Sequence, residues 1–302
     1  MVKKKIKKEG EKYDLIIIEN EPQYGLIIEK VKEKAKLILH LHNDYLNENS
    51  KNAKVIYNTY DEIFAISNFI SNRVNNIQPN IKKAKVLYNG IDVNRFNITK
   101  EENEKLREEY NLKQDDFVFM YIGRIAKEKG IKQLIQAFNK IENESAKLVI
   151  TGNKQPGQEE FYKEIIELIG KNKKNIIFTG YVNYNEIQKI YALSDVGVVP
   201  SICNEAFGLS ATEFMASGKP VIVSNQGALP EIIDKTECGK IVNYNEEFIN
   251  NLKNVLIDFL NLEDAKMEEL KRNAIINANK YTKEIYIKNF LKLIREGTNE
   301  KK

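Results

Sequence analysis

At residues 117–130 the chain reads Phe-Val-Phe-Met-Tyr-Ile-Gly-Arg-Ile-Ala-Lys-Glu-Lys-Gly. Its first six residues are apolar or aromatic without interruption, which is typical of a strand buried on both faces of a parallel sheet. A glycine ends the strand, and a short charged loop leads into a helix whose apolar residues Ile131, Leu134 and Phe138 fall on one face. The stretch therefore predicts a strand–loop–helix unit of an α/β fold.

Short apolar runs alternate with helical patterns along the whole chain, which predicts parallel sheets covered by helices on both faces. We expect strands at residues 14–18, 36–42, 62–67, 85–88, 117–122, 147–151, 175–179, 196–200, 220–224 and 240–243. The polar stretch 99–116 separates the first four from the last six. The sequence thus predicts two Rossmann-like domains: an abbreviated one at 1–112, joined by the C-terminal helix 281–297, and a second one at 113–280.

Composition excludes several classes of protein. The 302 residues carry a net charge of only +4, so no overall field favours nucleic acid. No apolar run approaches the roughly 18 residues that a membrane helix needs, and the start does not have the pattern of a secretion signal. The two cysteines, Cys203 and Cys238, have neither a metal-ligand spacing nor the number of a disulfide framework, so we expect a cytoplasmic protein.

Five lysines lie within residues 3–8. We expect a solvated tail there, with peripheral contact to an anionic membrane surface as the alternative.

Two cations follow the strand 117–122 directly. In open parallel sheets, ligands bind at the carboxyl ends of strands, where backbone amides and helix N-termini attract anions. Arg124 can hold two phosphate oxygens at once and Lys129 adds a point charge, so the pair suits a diphosphate beside Gly123. Only six of the 47 basic residues are arginines, which favours this interpretation over that of two ordinary loop cations.

A second strand end holds two glutamates. Glu205 is expected on the loop after strand 196–200, and Glu213 about one turn into a helix that begins near Gly208 and ends by Gly218. The two carboxylates could bind hydroxyls at both ends of a sugar nucleotide. Backbone amides between them would face its phosphates, and these belong to Ala206, Phe207, Gly208 and Leu209.

Each glutamate also has a structural interpretation. Ser210 and Glu213 have the Ser-x-x-Glu spacing of a capping box, which would make Glu213 a helix cap. Glu205 could be a solvated loop acid. The residues alone leave both alternatives open.

The sequence resembles the retaining glycosyltransferases of glycosyltransferase family 4 over roughly residues 12–295. The match consists of five blocks: Tyr121-Ile-Gly-Arg with Glu128-Lys-Gly, Phe178-Thr-Gly-Tyr-Val182, the Glu-x7-Glu signature from Glu205 to Glu213, Ala216-Ser-Gly-Lys-Pro-Val221 and Gly227-Ala-Leu-Pro-Glu231. Upstream, Tyr88-Asn-Gly-Ile-Asp-Val-Asn-Arg-Phe96 looks like the segment that ends the acceptor domain. The resemblance implies a GT-B fold, in which two Rossmann-like domains face each other across a cleft.

The resemblance also implies roles for the two sites. Glu205 would contact hydroxyls of the transferred sugar and Glu213 the ribose, while Arg124 and Lys129 would hold the diphosphate leaving group. The expected donor is a nucleotide-diphosphate sugar, with UDP as the nucleotide, and the expected acceptor is a glycan or a lipid-linked saccharide. No cofactor and no metal ion are then required, and the chain has no Asp-x-Asp element.

Both histidines of the chain lie at the end of one strand. His40 and His42 are two residues apart, so their side chains are expected on the same face. A strand histidine is more often structural. Because the family often has a histidine at this point, the resemblance favours His42 as a contact of the sugar or the acceptor.

The match is incomplete in the first domain. A full family member has a strand, a glycine-rich turn and about two further units before the point that matches Tyr13-Asp-Leu-Ile-Ile-Ile18. We therefore keep a second hypothesis beside an active transferase: a sugar-nucleotide-binding module that is truncated, degenerate or completed by a partner subunit. A smaller departure is Gly152-Asn-Lys-Gln-Pro156, where a second glycine is usual.

Overall fold

The chain divides into two compact units, Met1–Gly90 with Lys283–Lys302, and Ile91–Thr282. The computed structural model describes residues 2–9, 13–96, 98–170, 174–233 and 237–299. Within these ranges there are ten strands, which form one sheet of four and one of six, and every pairing is parallel. The predicted α/β class with two parallel sheets is confirmed.

The first unit contains the smaller sheet. Its strands are β1 (Leu15–Glu19), β2 (Lys36–Leu41), β3 (Glu62–Ala65) and β4 (Ala84–Val86), paired in that order. Its helices are α1 (Val2–Glu9), α2 (Gly25–Ile28), α3 (Ala53–Thr59), α4 (Asn68–Asn75) and the C-terminal α13 (Lys283–Asn299). The lysine-rich start is therefore the helix α1 rather than the expected tail, and Ile6 of this helix is buried.

Helix α13 packs on the first sheet through Tyr286, Phe290, Leu293 and Ile294. These side chains contact Ile38, Phe64 and Leu87. The approach is close at Gly90, where a Cβ atom would lie 2.8 Å from both Lys283 Cα and Tyr286 Cβ. The packing of this face explains why the C-terminal helix belongs to the first unit.

Helix α5 (Lys100–Glu109) lies in the second unit. Arg107 on this helix is buried, and its guanidinium donates hydrogen bonds to the carbonyl oxygens of Leu193 and Asp116. The chain passes from the first unit to the second between Gly90 and Ile91 and returns between Thr282 and Lys283. The domain boundary after residue 112 stays a prediction. Residues 99–112 resemble a linker in composition, but Arg107 attaches α5 to Leu193 and Asp116 of the second unit.

The second unit contains the larger sheet. Its strands are β5 (Phe117–Ile122), β6 (Ala146–Thr151), β7 (Ile176–Gly180), β8 (Val196–Val199), β9 (Val221–Ser224) and β10 (Gly239–Val242). Its other helices are α6 (Ile131–Phe138), α7 (Glu159–Ile169), α8 (Ile187–Ala192), α9 (Leu209–Ala216), α10 (Leu229–Ile233), α11 (Phe248–Leu260) and α12 (Asp264–Ala278). The strand order β10-β9-β8-β5-β6-β7 places β5 beside β8.

The neighbouring strands β5 and β8 form the switch point of this sheet. From β5 the chain adds β6 and β7 on one side, and it then returns to add β8, β9 and β10 on the other. Connections leave such a pair in opposite directions, which opens a crevice at the carboxyl ends of the two strands. The loops after β5 and β8 are therefore brought together by the topology. Over the described ranges, no helix is long and apolar enough to span a bilayer.

A glycine fixes the distance between these two loops. Gly130 has φ +70°, and a Cβ atom there would lie 1.8 Å from the carbonyl oxygen of Pro200. Ile202 N also donates to the Glu128 carbonyl oxygen at 3.0 Å. Only a residue without a side chain allows the loop after β5 to contact the end of β8 in this way.

We expect Gly130→Ala to lower the free energy of unfolding far more than Gly157→Ala, as measured by urea unfolding. Gly157 has a similar φ of +80°, but a Cβ atom there would meet nothing within 4 Å. Both substitutions carry left-handed backbone strain of about 1–2 kcal/mol. Only Gly130→Ala adds steric overlap, which should cost on the order of 2 kcal/mol more. Equal losses for the two variants would show that the loops do not touch at Gly130.

Candidate functional site

The candidate site is built around an ion pair between the loops after β5 and β8. Lys129 Nζ lies 2.7 Å from Glu205 Oε1, and the two side chains are only 20% and 17% exposed. Ser201, two residues after the end of β8, donates its hydroxyl to the same carboxylate oxygen. The structure therefore places both residues where the sequence predicted them, and it excludes the interpretation of Glu205 as a solvated loop acid.

Arg124 lies on the same loop and remains largely exposed. Its guanidinium donates to Gln155 Oε1 at 2.7 Å and lies 3.5 Å from Glu128 Oε1, while its side chain is 56% exposed. The backbone at Arg124 is held by Tyr121, whose hydroxyl donates to the Arg124 carbonyl oxygen at 2.5 Å. Burial raises the pKa of Tyr121 well above its ordinary value, so this hydroxyl stays protonated and remains a donor. Arg124 thus has a fixed backbone and a side chain that can reach a ligand.

Backbone contacts fix the loop that carries Glu205. The amide of Ala228 donates to the Glu205 carbonyl oxygen at 2.8 Å, and Glu205 forms a β-bridge with Gly227. Gly227 has φ +63°, and a Cβ atom there would lie 2.2 Å from that same oxygen. The Gly227-Ala-Leu-Pro-Glu231 block therefore acts as the support of the loop.

Helix α9 begins directly after this loop, at Leu209. Its N-cap is Gly208, with φ +116° and no side-chain cap. In the part of the chain that the structure describes, the amides of Ala206 and Gly208 donate no hydrogen bond, and the amide of Leu209 is one of the unpaired N–H groups of a helix N-terminus. Phe207 is buried and packs edge-to-face on Tyr281. Amides at this point can therefore bind an anion.

Glu213 is a half-buried acid rather than a helix cap. Tyr191 donates its hydroxyl to Glu213 Oε2 at 2.5 Å. Burial raises the pKa of Glu213 above its ordinary value, and the Tyr191 hydrogen bond and the charge of Arg95 oppose this shift. The capping box with Ser210 does not form, because the helix begins at Leu209 and Ser210 lies inside it.

Three residues of this site were missed by sequence reasoning: Tyr191, Ser201 and Gln155. Tyr191 lies on α8 and gives no motif signal. Ser201 could have been found as the first polar residue after the β8 run. Gln155 lies in the loop 152–156, which follows β6, the strand that pairs with β5. The position of this loop at the end of a strand was the one feature of the sequence that could have pointed to Gln155.

His42 belongs to the first unit, where it follows β2. Its Nε2 atom lies 3.0 Å from Glu19 Oε2, and its ring centroid is 4.2 Å from that of His40. His40 is buried, and burial, with the nearby His42 as a smaller cause, lowers the pKa of His40 to about 4. The His40 ring is therefore neutral at pH 7. Arg124, Lys129, Glu205 and Glu213 all belong to the second unit.

A separate concavity lies beside the loop after β5. It has a volume of about 1010 Å³, and its lining includes Lys127, Glu128, Glu159, Ile202 and Cys203. None of the four charged residues predicted to bind the donor lines it. A ligand could bind in this concavity instead of at the predicted site, and an experiment on binding has to distinguish the two locations.

The fold and site together define an α/β protein with charged side chains and backbone amides at the switch point of its larger sheet, and known structures agree on the fold. The Anabaena Alr3699/HepE structure in complex with UDP-glucose superposes with a TM-score of 0.81, at 21% identity over 98% of this chain and 82% of that one. At this identity the likeness shows a GT-B-like fold. The match covers nearly all of the chain.

Residues 102–281 match the model of the family described as Glycosyl transferases group 1, and the chain belongs to this family. An uncharacterized glycosyltransferase of Methanocaldococcus jannaschii is 39% identical over 154 residues, which are 50% of this chain and 38% of that protein. Spore coat protein SA of Bacillus subtilis is 28% identical over 245 residues, which are 76% of this chain and 65% of that protein. The chain thus spans less than two thirds of the length of these relatives.

The burial of Glu213 leads to a prediction about pH. Because its folded-state pKa lies above the ordinary 4.5, the folded chain binds more protons than the unfolded chain once the pH passes 4.5. We therefore expect the stability of the wild type to fall relative to that of Glu213→Gln as the pH rises from 4.5 to 7, in a series of urea unfolding curves. The exposed Glu160→Gln is the control and should show no such trend. If the free energy of unfolding of the wild type rises relative to that of Glu213→Gln over this range, the pKa of Glu213 is not raised.

Proposed function

We propose that this protein is a retaining glycosyltransferase that moves a sugar from a nucleotide-diphosphate sugar to a glycan or lipid-linked acceptor. The observation that carries the proposal is the meeting of Lys129 and Glu205 at the switch point of the larger sheet, 2.7 Å apart, with Arg124 on the same loop. A cation and an acid in one place suit a ligand that has both phosphates and hydroxyls. A sugar nucleotide is such a ligand.

In this proposal, Arg124, Lys129 and the amides from Ala206 to Leu209 receive the diphosphate. Negative charge grows on the leaving nucleoside diphosphate as the anomeric carbon–oxygen bond breaks. Fixed cations and amides that are already in position stabilise this charge without reorganisation, which usually supplies the largest part of catalysis. The group of positive charges and amides offers this stabilisation without a metal ion, and we propose metal-independent transfer.

The carboxylates hold the two sugars of the donor. Glu205 accepts hydrogen bonds from hydroxyls of the transferred sugar, and Glu213 from those of the ribose. Glu213 is suited to this role because it is half-buried and already oriented by Tyr191. His42, on the first unit, contacts the transferred sugar or the acceptor. UDP is the proposed nucleotide, which is supported by the relative of this fold that binds UDP-glucose.

We place the reaction in the cytoplasm, because neither Cys203 nor Cys238 forms a disulfide in the described part of the chain. The exposed lysines of α1, Lys4, Lys5 and Lys7, support peripheral contact with an anionic membrane, where a lipid-linked acceptor would lie.

The contrast between a diphosphate and a monophosphate tests the role of Arg124. We expect Arg124→Ala to weaken UDP binding roughly tenfold in isothermal titration, because a hydrogen bond to a charged group is worth about 1.5–3 kcal/mol. Binding of UMP, which lacks the second phosphate, should change little. Lys127→Ala removes an exposed cation from the same loop and should leave UDP affinity unchanged. Equal effects of Arg124→Ala on UDP and UMP would contradict the contact.

Turnover tests the role of Glu205. Release of nucleotide from a panel of UDP-, GDP- and ADP-sugars by the purified chain should fall at least about 10²-fold in Glu205→Gln, since loss of one preorganised contact to the reacting group has this effect. Glu205→Gln should also lower the melting temperature, because it leaves the Lys129 ammonium without its carboxylate, so circular dichroism must show that this variant is folded at the assay temperature. Glu160→Gln should behave as the wild type. If the wild type binds UDP tightly but releases no nucleotide from any of these donors, the chain is not an active transferase by itself. The second hypothesis, a binding module completed by a partner, then replaces the first.

A further inference from the structure

Three potential metal ligands meet at the carboxyl ends of β1 and β2. Glu19 is the last residue of β1, and its backbone pairs with that of His40 on β2. His42 follows β2 directly, on the same side of the strand as His40. Within the described residues these side chains form a group whose ligand atoms all lie within 4.8 Å of one another.

The distances fit a shared ion. His40 Nδ1 and His42 Nε2 each lie 3.0 Å from Glu19 Oε2. In a tetrahedral zinc site with metal–ligand bonds of about 2.0–2.1 Å, neighbouring ligand atoms are roughly 3.3 Å apart. The two nitrogen–oxygen distances therefore differ from this spacing by only a few tenths of an ångström. The two nitrogens lie within 4.8 Å of each other.

His40 lacks the hydrogen bonds that a buried ring normally has. Its side chain is 1% exposed, and neither ring nitrogen has a partner with hydrogen-bond geometry in the described part of the chain. Nδ1 is close to Glu19 Oε2, but it does not point along the line that a hydrogen bond needs. An ion shared with Glu19 would give Nδ1 the partner that it lacks.

The surroundings keep His40 in place. Its ring stacks on Tyr286 at a centroid distance of 6.5 Å and meets the edge of Phe64 at 6.3 Å. Glu19 and His42, by contrast, are 57% and 38% exposed. An ion can thus enter from the solvent side, with the buried imidazole as its fixed inner ligand and water in the remaining position.

We propose that Glu19, His40 and His42 bind a single divalent transition-metal ion, Zn²⁺ or Co²⁺. Two imidazoles and a carboxylate are ligands that these ions accept, and a site of three protein ligands keeps a position open. Binding itself does not depend on the proposed function. If that function is also right, the ion occupies the nitrogen of His42 that would contact sugar, and saturating Zn²⁺ slows transfer.

Titration of the full chain with Co²⁺, after removal of any histidine tag, tests the site. We expect one Co²⁺ per chain, with the visible absorption of nitrogen and oxygen ligation, and its displacement by Zn²⁺. His40 and His42 are the only histidines of the sequence, so histidine ligation can be assigned to this site. His42→Ala and Glu19→Gln should each weaken Co²⁺ binding more than about tenfold, because loss of a residue that only supports a metal ligand already lowers metal affinity by about this factor. The exposed Glu48→Gln in the same unit is the matched control.

Three results would overturn the metal site. They are the absence of saturable Co²⁺ binding, binding that His42→Ala and Glu19→Gln leave unchanged, and an intense thiolate-to-Co²⁺ absorption, which would assign the ion to a cysteine. The two tested side chains are partly exposed, so their replacement should not unfold the chain, and circular dichroism checks this. Co²⁺ binding without any effect of Zn²⁺ on transfer would support the site and contradict only the proposed role of His42.

Discussion

The contact of Gly130 with the carbonyl oxygen of Pro200 is the constraint on which the candidate site depends. Strand order places β5 beside β8, but two adjacent strands can end in loops that diverge. Gly130, with its left-handed backbone, turns the loop after β5 onto the end of β8. The amide of Ile202 holds the two loops together by donating a hydrogen bond to the carbonyl oxygen of Glu128. Lys129 then lies 2.7 Å from Glu205, although 76 residues separate them in sequence.

The ion pair of Lys129 and Glu205 has a structural role and a proposed role in ligand binding. It satisfies two charges that are mostly removed from water, where an unpaired charge would be costly. It also holds, next to each other, one group that attracts phosphate and one that attracts hydroxyls. A sugar nucleotide offers both and can exchange these contacts for its own. Arg124 differs, because its guanidinium is more than half exposed and can turn toward a ligand without breaking a buried pair.

Much of the fold and part of the site could be predicted from the sequence, for physical reasons that differ by residue. Strands such as β5 are buried on both faces, so their apolar runs stand out, and Arg124, Lys129, Glu205 and Glu213 follow or flank such runs. Local spacing could not show that Ser210 lies inside α9, because Gly208 starts the helix without a side-chain cap. Neither the hydroxyl of Tyr191, which orients Glu213, nor the contact of Arg107 with Leu193 has a signal at short range, since the partners lie 22 and 86 residues apart.

The most direct test of the central claim is a crystal structure of the chain with UDP. We expect the diphosphate within hydrogen-bond distance of Arg124, Lys129 and the amide of Gly208, with Glu213 on the ribose. A nucleotide bound instead in the neighbouring concavity beside Lys127 and Cys203, with the pair of Lys129 and Glu205 untouched, would contradict it.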